Sequence, residues 1–146
     1  MTATAETADI LVIGGGIAGV GAAARLAPDA RVTVLEADDA IGRHATGRSA
    51  ALFIRNYGNA TLRALNAAAA EAFDAPDDAF DGPLLSPRGA LFLADEAALD
   101  RAEAYAAGSA GLARLSGAEA AALFPILRPE RIALALHEPD AQDIDV

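Results

Sequence analysis

The sequence contains no cysteine, no tryptophan and no lysine. Without thiols it forms no disulfide, ligates no iron–sulfur cluster and offers no thiolate nucleophile. His44 and His137 are its only histidines, so the ligand set of a structural zinc site is missing and no metal is expected. All 11 basic residues are arginine; 21 acidic residues bring the net charge to −10. So acidic a chain repels phosphate backbones and anionic lipid, which argues against nucleic-acid and membrane-surface partners. Aromatic residues make up only 5%. The 53% hydrophobic fraction is well over a third alanine, which buries little area per residue. The core must therefore come from a few segments dense in Val, Ile, Leu and Phe. The longest uncharged stretch, residues 10–24, is too short and too glycine-rich to span a bilayer. Glu6 and Asp9 stand before it where a signal peptide carries basic residues. A cytoplasmic protein is expected.

What remains is a pattern of short apolar runs and alanine-rich helical segments. Residues 1–8 read as a polar leader. Residues 9–13 (Asp-Ile-Leu-Val-Ile) are β-branched, stop at glycines and suit a strand buried on both faces of a parallel sheet. Residues 17–27 favour helix and end at Pro28; residues 31–36 read as a second strand. Strand, helix and strand together have the size of one βαβ unit. Residues 37–48 form a polar loop. A helix is predicted over 60–73, with Asn59 as cap and Leu62, Leu65, Ala69 and Phe73 on its inward face. Residues 76–87 are an acidic, proline-containing connection and the expected domain boundary. A strand over 90–93, a helix over 96–107 capped by Asp95, a short helix opened by the capping box Ser116–Glu119, and a strand over 132–136 complete the pattern.

Gly14-Gly15-Gly16-Ile17-Ala18-Gly19 is a G-x-G-x-x-G sequence. It follows a strand, opens a helix, and is matched by Glu36 at the end of the next strand, the context that gives the motif its meaning. Gly14 permits the tight turn, Gly16 lets the backbone approach a pyrophosphate, and Gly19 allows helix and strand to pack closely. The amides at the helix start, around Ile17 and Ala18, and the positive end of its dipole receive phosphates. Glu36 can accept hydrogen bonds from the adenosine ribose, and its charge speaks against a 2′-phosphate. The fingerprint alone does not separate FAD from NAD.

The segment from Gly42 to Ala51, Gly-Arg-His-Ala-Thr-Gly-Arg-Ser-Ala-Ala, decides between them. It resembles the flavin-contacting loop of the D-amino-acid oxidase-like (DAO) superfamily of FAD-dependent oxidoreductases, in particular the bacterial D-arginine and related D-amino-acid dehydrogenases. Tyr57-Gly58, the run Pro83-Leu84-Leu85-Ser86-Pro87-Arg88 and the final Asp143-Ile144-Asp145-Val146 match in the same order, so the resemblance covers nearly the whole chain. It implies FAD as cofactor, with Thr46, Gly47, Arg48, Ser49 and Ala50 as further flavin contacts. For Arg48 an ion pair with Glu36 is the competing reading. Tyr57 is implied as a residue that covers the substrate, with a core aromatic as the alternative. His44 reads as a polar loop residue and His137 as structural. The implied reaction oxidises the C–N bond of an amino acid or amine, hydride passing from the substrate Cα to flavin N5. Leu52 and Ala90 depart from the D-arginine dehydrogenase pattern, which has a histidine and an acidic residue there, so a cationic substrate is disfavoured.

The resemblance also implies an incomplete α/β fold. A Rossmann-like FAD-binding βαβ unit, the N-terminal part of the FAD-binding domain (residues 1–75), would be followed by the start of an α+β substrate domain (residues 76–146). The chain looks truncated, with Asp145 as the cap of a helix that would follow. A separate C-terminal half is then the expected partner, and the chain by itself is expected to fold poorly and to be inactive. A non-catalytic or split-subunit dinucleotide-binding fragment is the alternative.

Overall fold

The computed structural model describes residues 7–75 and 80–145. The chain folds as two compact units that divide between Ala50 and Ala51.

The first unit is the βαβ motif. β1 (Ile10–Ile13) and β2 (Val32–Leu35) pair in parallel, from Ile10 opposite Val32 to Ile13 opposite Leu35. α1 (Ile17–Leu26) forms the crossover. Asp9 fixes the base of the pair: its carboxylate takes both the backbone and the guanidinium of Arg31. Val12 faces α1, close to Gly19. The opposite face is open, and Leu11, Ile13 and Leu35 lie exposed on it. Burial on both faces, as the sequence suggests, is therefore not met within this unit, because one helix over two strands covers one face only.

The second unit holds two antiparallel three-stranded sheets. In one, β3 (Leu52–Phe53) and β4 (Leu85–Pro87) flank β8 (Gln142–Ile144). In the other, β5 (Ala90–Ala94) and β6 (Ala113–Leu115) flank β7 (Leu134–Glu138). The ladder sets Phe92 opposite Leu136 and Leu91 opposite His137. Directly opposite residues share a face, so Phe92, Ala94, Leu134 and Leu136 pack against α3 (Leu99–Ala107), where Leu99, Ala102 and Tyr105 complete the core. α4 (Gly117–Leu123) opens with the predicted capping box, Ser116 and Glu119 satisfying each other's backbone amides.

α2 (Ala60–Asp74) belongs to the second unit, with Phe73 against Phe53 at 5.2 Å between ring centroids. Asn59 caps it as expected, accepting from Leu62 N at 3.1 Å. Its inward face differs from the hydrophobic reading. Leu62 and Leu65 are exposed, and Arg63, Asn66, Ala70 and Phe73 point in. The long polar side chains turn inward because backbone carbonyls of the preceding loop need donors there. One further difference concerns the C-terminal region. The last predicted strand lies two residues later than read, at Leu134–Glu138. Asp143 and Ile144 belong to strand β8, and the amide of Asp145 donates to Leu84 O at 2.9 Å. The acidic connection begins with residues 76–79, which lie outside the described residues.

Candidate cofactor site

The turn between β1 and α1 is built by backbone contacts that only small residues permit. Gly14 has φ +107°, and its amide donates to Leu35 O at 2.8 Å, tying the turn to the end of β2. A Cβ on Gly19 would lie 1.9 Å from the carbonyl oxygen of Gly14, so Gly19 is the contact that seats α1 on the turn. Gly16 precedes the helix in extended conformation, φ −76° and ψ 175°, with no side-chain cap of its own. A Cβ there would meet only Thr46 Oγ1, at 3.4 Å. The amide of Ile17 donates to that hydroxyl at 3.0 Å. The amides of Gly16, Ala18 and Gly19 have no acceptor among the described residues. The start of α1 therefore offers unpaired donors, the positive end of a helix dipole and room beside Gly16, the features of a phosphate cradle.

Glu36 stands beside this turn, half-buried. One carboxylate oxygen accepts from Gly15 N at 2.7 Å, the other from Ala37 N at 2.7 Å and Asp38 N at 3.1 Å. These amides, that of Asp38 first, with a smaller contribution from His44, hold its carboxyl below the usual glutamate range. Glu36 thus splints the turn to the loop after β2, and the ion pair with Arg48, the competing reading for that residue, is not made among the described residues. Arg48 is exposed, at the end of the 3₁₀ turn Thr46–Arg48. Gly47 donates to Gly42 O at 2.7 Å, and a Cβ on it would approach that oxygen to 2.5 Å. Ser49 and Ala50 follow on the exposed side. His44 pairs with Asp38 at the surface. The structure thus brings Gly16, Ile17, Ala18, Gly19, Glu36 and Thr46 to one end of α1. Thr46 is the unforeseen link: nothing in the spacing of residues 17 and 46 signals that one caps the other.

In the second unit, Tyr57 lies on a short loop with its ring exposed. Asn66 donates to Ile54 O at 3.1 Å and Tyr57 O at 3.4 Å, and Arg63 to Gly58 O at 3.0 Å. Leu52 and Ala90 both line one open cavity of about 610 Å³, together with Leu91, Phe124, Arg88 and His137. Arg88 is held by Asp143 at 2.6 Å. Glu138, opposite Ala90 in the ladder, is buried and turned to the amide of Asn56.

A family model for FAD-dependent oxidoreductases, DAO, matches residues 9–146. The chain belongs to the DAO family. The family's cofactor, FAD, suits the start of α1, where the amides of Gly16, Ala18 and Gly19, with no acceptor among the described residues, can receive an anionic group. The fold is shared with solved structures. An FAD-bound L-α-glycerophosphate oxidase from Mycoplasma pneumoniae superposes with a TM-score of 0.79 at 20% identity, over 97% of this chain and 40% of that one. Glycine oxidase from Geobacillus kaustophilus gives 0.76 at 22% identity, over 94% and 40%. L-Proline dehydrogenase from P. horikoshii gives 0.74 at 24%, over 97% and 39%. This chain spans about two fifths of the length of these DAO-fold proteins. Among the described residues, no helix is long and apolar enough to cross a membrane.

Proposed function

We propose that the protein carrying this segment oxidises the C–N bond of an amino acid or amine with FAD, and that this chain provides the FAD-diphosphate cradle and one wall of the substrate site. The observation that carries the reading is the unpaired amide cluster at the start of α1, flanked by Thr46 and open beside Gly16, in a chain of a flavoenzyme family. In this reading the amides of Gly16, Ala18 and Gly19 receive the diphosphate, and Glu36 accepts from the adenosine ribose with the lone pairs its backbone bonds leave. Gly47, Arg48, Ser49 and Ala50 lie along the path to the flavin ring. Bound FAD supplies the two-electron acceptor for the substrate hydride. Residues 1–75 belong to the FAD-binding domain of the complete protein and residues 76–146 begin its substrate domain.

The amine reading is supported by glycine oxidase and proline dehydrogenase among the similar structures, while the glycerophosphate oxidase acts on an alcohol. The substrate side chain is assigned to the cavity shared by Leu52 and Ala90, and Tyr57 covers the bound substrate. Two experiments test this. Purified flavin-loaded protein is mixed anaerobically with glycine, D-leucine, L-proline or glycerol 3-phosphate while the flavin absorbance is followed. Bleaching by an amine is expected; bleaching by glycerol 3-phosphate alone overturns the reading. Retention of flavin with no reduction by any of them supports a dinucleotide-binding part that acts with a separate polypeptide. In the same loaded protein, Tyr57→Ala is expected to lower kcat/KM about tenfold or more, as for a lost substrate contact.

A further inference from the structure

Resting on the reading of Tyr57 as the substrate-covering residue, we infer that Glu138, acting through Asn56, is a positioning residue that fixes the 54–58 loop and thereby fixes where Tyr57 stands. β7 carries Leu134 and Leu136 on the face that meets α3, and Glu138 is next on that face. A leucine there would extend the apolar contact but leave the Asn56 amide without this acceptor. The chain instead buries a carboxylate, 2% exposed, with no cation bonded to it among the described residues. Such burial is unfavourable unless the group is paired or hydrogen-bonded, so the bond it makes points to its role.

What it holds is the loop. Glu138 Oε1 accepts from the amide of Asn56 at 3.4 Å. The Asn56 side chain, itself buried, then makes a two-way bond to Ala110, donating to its carbonyl at 2.9 Å and accepting from its amide at 3.0 Å. From the other side, Asn66 and Arg63 of α2 take the carbonyls of Ile54, Tyr57 and Gly58. Side chains from α2 and β7, and the backbone after α3, thus fix nearly every residue of a five-residue loop. Its outward member, Tyr57, keeps a ring 61% exposed. The stem is hydrogen-bonded on both sides, and Tyr57 faces outward.

Among the described residues, the second carboxylate oxygen, Oε2, is buried without a hydrogen-bond partner, and so is the hydroxyl of Tyr105. A phenol donates and a carboxylate accepts, so the two are complementary. Burial, and next the charge of Glu138, raise the ionisation of Tyr105 above the usual tyrosine range, with Arg63 opposing. The guanidinium of Arg63 lies 5.2 Å from the centre of the Tyr105 ring, which links the phenol to the same clamp.

The test is amide hydrogen exchange on the full 146-residue chain, resolved by residue, for the wild type, Glu138→Leu and Glu138→Gln. Leucine fills the space without an acceptor; glutamine keeps an acceptor in the same shape. Glu138→Leu is expected to speed exchange at Asn56 and Ala110 about tenfold or more relative to the β5–β7 ladder, and Glu138→Gln to restore protection to within about threefold of wild type. Four results overturn the inference: wild-type Asn56 and Ala110 amides that exchange as in an unfolded chain, no change in Glu138→Leu, a change shared equally by the β5–β7 ladder, or a glutamine variant that behaves as the leucine one. The Tyr57→Ala kinetics read the role of Tyr57 separately, so a silent Tyr57 and an unclamped loop are distinguishable failures.

Discussion

The three motif glycines differ in what surrounds them, and their substitutions separate folding from binding. At Gly19 a Cβ would collide with backbone at 1.9 Å. Gly19→Ala should therefore destabilise the first unit by about 1–3 kcal/mol, as overpacking does, measurable by urea denaturation. At Gly16 the only neighbour of a Cβ is Thr46 Oγ1 at 3.4 Å. Under the proposed function Gly16→Val should leave that unit folded yet weaken FAD binding on the order of a hundredfold, about 2.7 kcal/mol, because the added methyls occupy the space assigned there to the diphosphate. Equilibrium dialysis reads the affinity, and an unchanged value would remove Gly16 from the cradle. Glu36 adds a pH dependence. Its folded carboxyl titrates below the unfolded value of 4.5, so its contribution is complete above about pH 4.5 and is lost as the pH falls through the lowered folded value. The amides of Gly15 and Asp38 should then gain exchange below that range in the wild type, and show no such acid step in Glu36→Gln. Glu36→Ala should weaken FAD binding less than Gly16→Val, since the diphosphate amides remain.

At the scale of elements, those that arise from local signals were readable and those that arise from pairing were not. The α2 cap at Asn59, the Asp95 cap and the Ser116–Glu119 box are made as their spacing predicts. The helix after Asp95 begins as the 3₁₀ turn Glu96–Ala98 and becomes α-helical at Leu99. β3, β4, β6 and β8 are two or three residues long. Strands this short carry too few residues for an alternation to register and exist only because a partner lies beside them. The face of α2 was misread because leucines mark an apolar stripe in sequence, whereas Arg63 and Asn66 turn inward to bond carbonyls of the 54–58 loop. The cavity along β5 yields the element-scale prediction. Its wall at residue 90 is alanine, Glu138 is turned to Asn56, and Asp143 is taken by Arg88. Among the described residues no acid lines it, so under the proposed function the flavin-loaded protein carrying this segment should prefer a D-leucine-like over a D-arginine-like substrate in kcat/KM. A hundredfold preference for the cation, about 2.7 kcal/mol, would refute this assignment of the cavity.

For the molecule as a whole, the two units differ in how completely each covers its own sheet. The second buries Ala94, Leu134 and Leu136 beneath α3. The first leaves Leu11, Ile13 and Leu35 open, Ile13 at 84% exposure. The 146-residue chain by itself should therefore self-associate through the first unit, and its β1–β2 amides should exchange faster than the β5–β7 ladder. Size-exclusion chromatography with hydrogen exchange checks this; a monodisperse monomer with equal protection in both units is the contrary result. Replacing Leu11 and Ile13 with threonine should reduce the association without altering the second unit.

The sequence by itself determined the βαβ motif, its glycines, the helix caps and the resemblance to an FAD family, because each is written in residues close together along the chain. Only the tertiary structure decided that Thr46 caps α1 from 29 residues away and that Glu36 splints the turn through three backbone amides. It also decided that Leu52 and Ala90 line one cavity and that a buried glutamate accepts from the amide of Asn56, 82 residues away. For Thr46, Glu36 and Glu138 the physical reason is the same: an unpaired backbone amide takes whichever acceptor the fold brings within reach; the cavity depends on which strands pair, and neither leaves a period or spacing in the sequence.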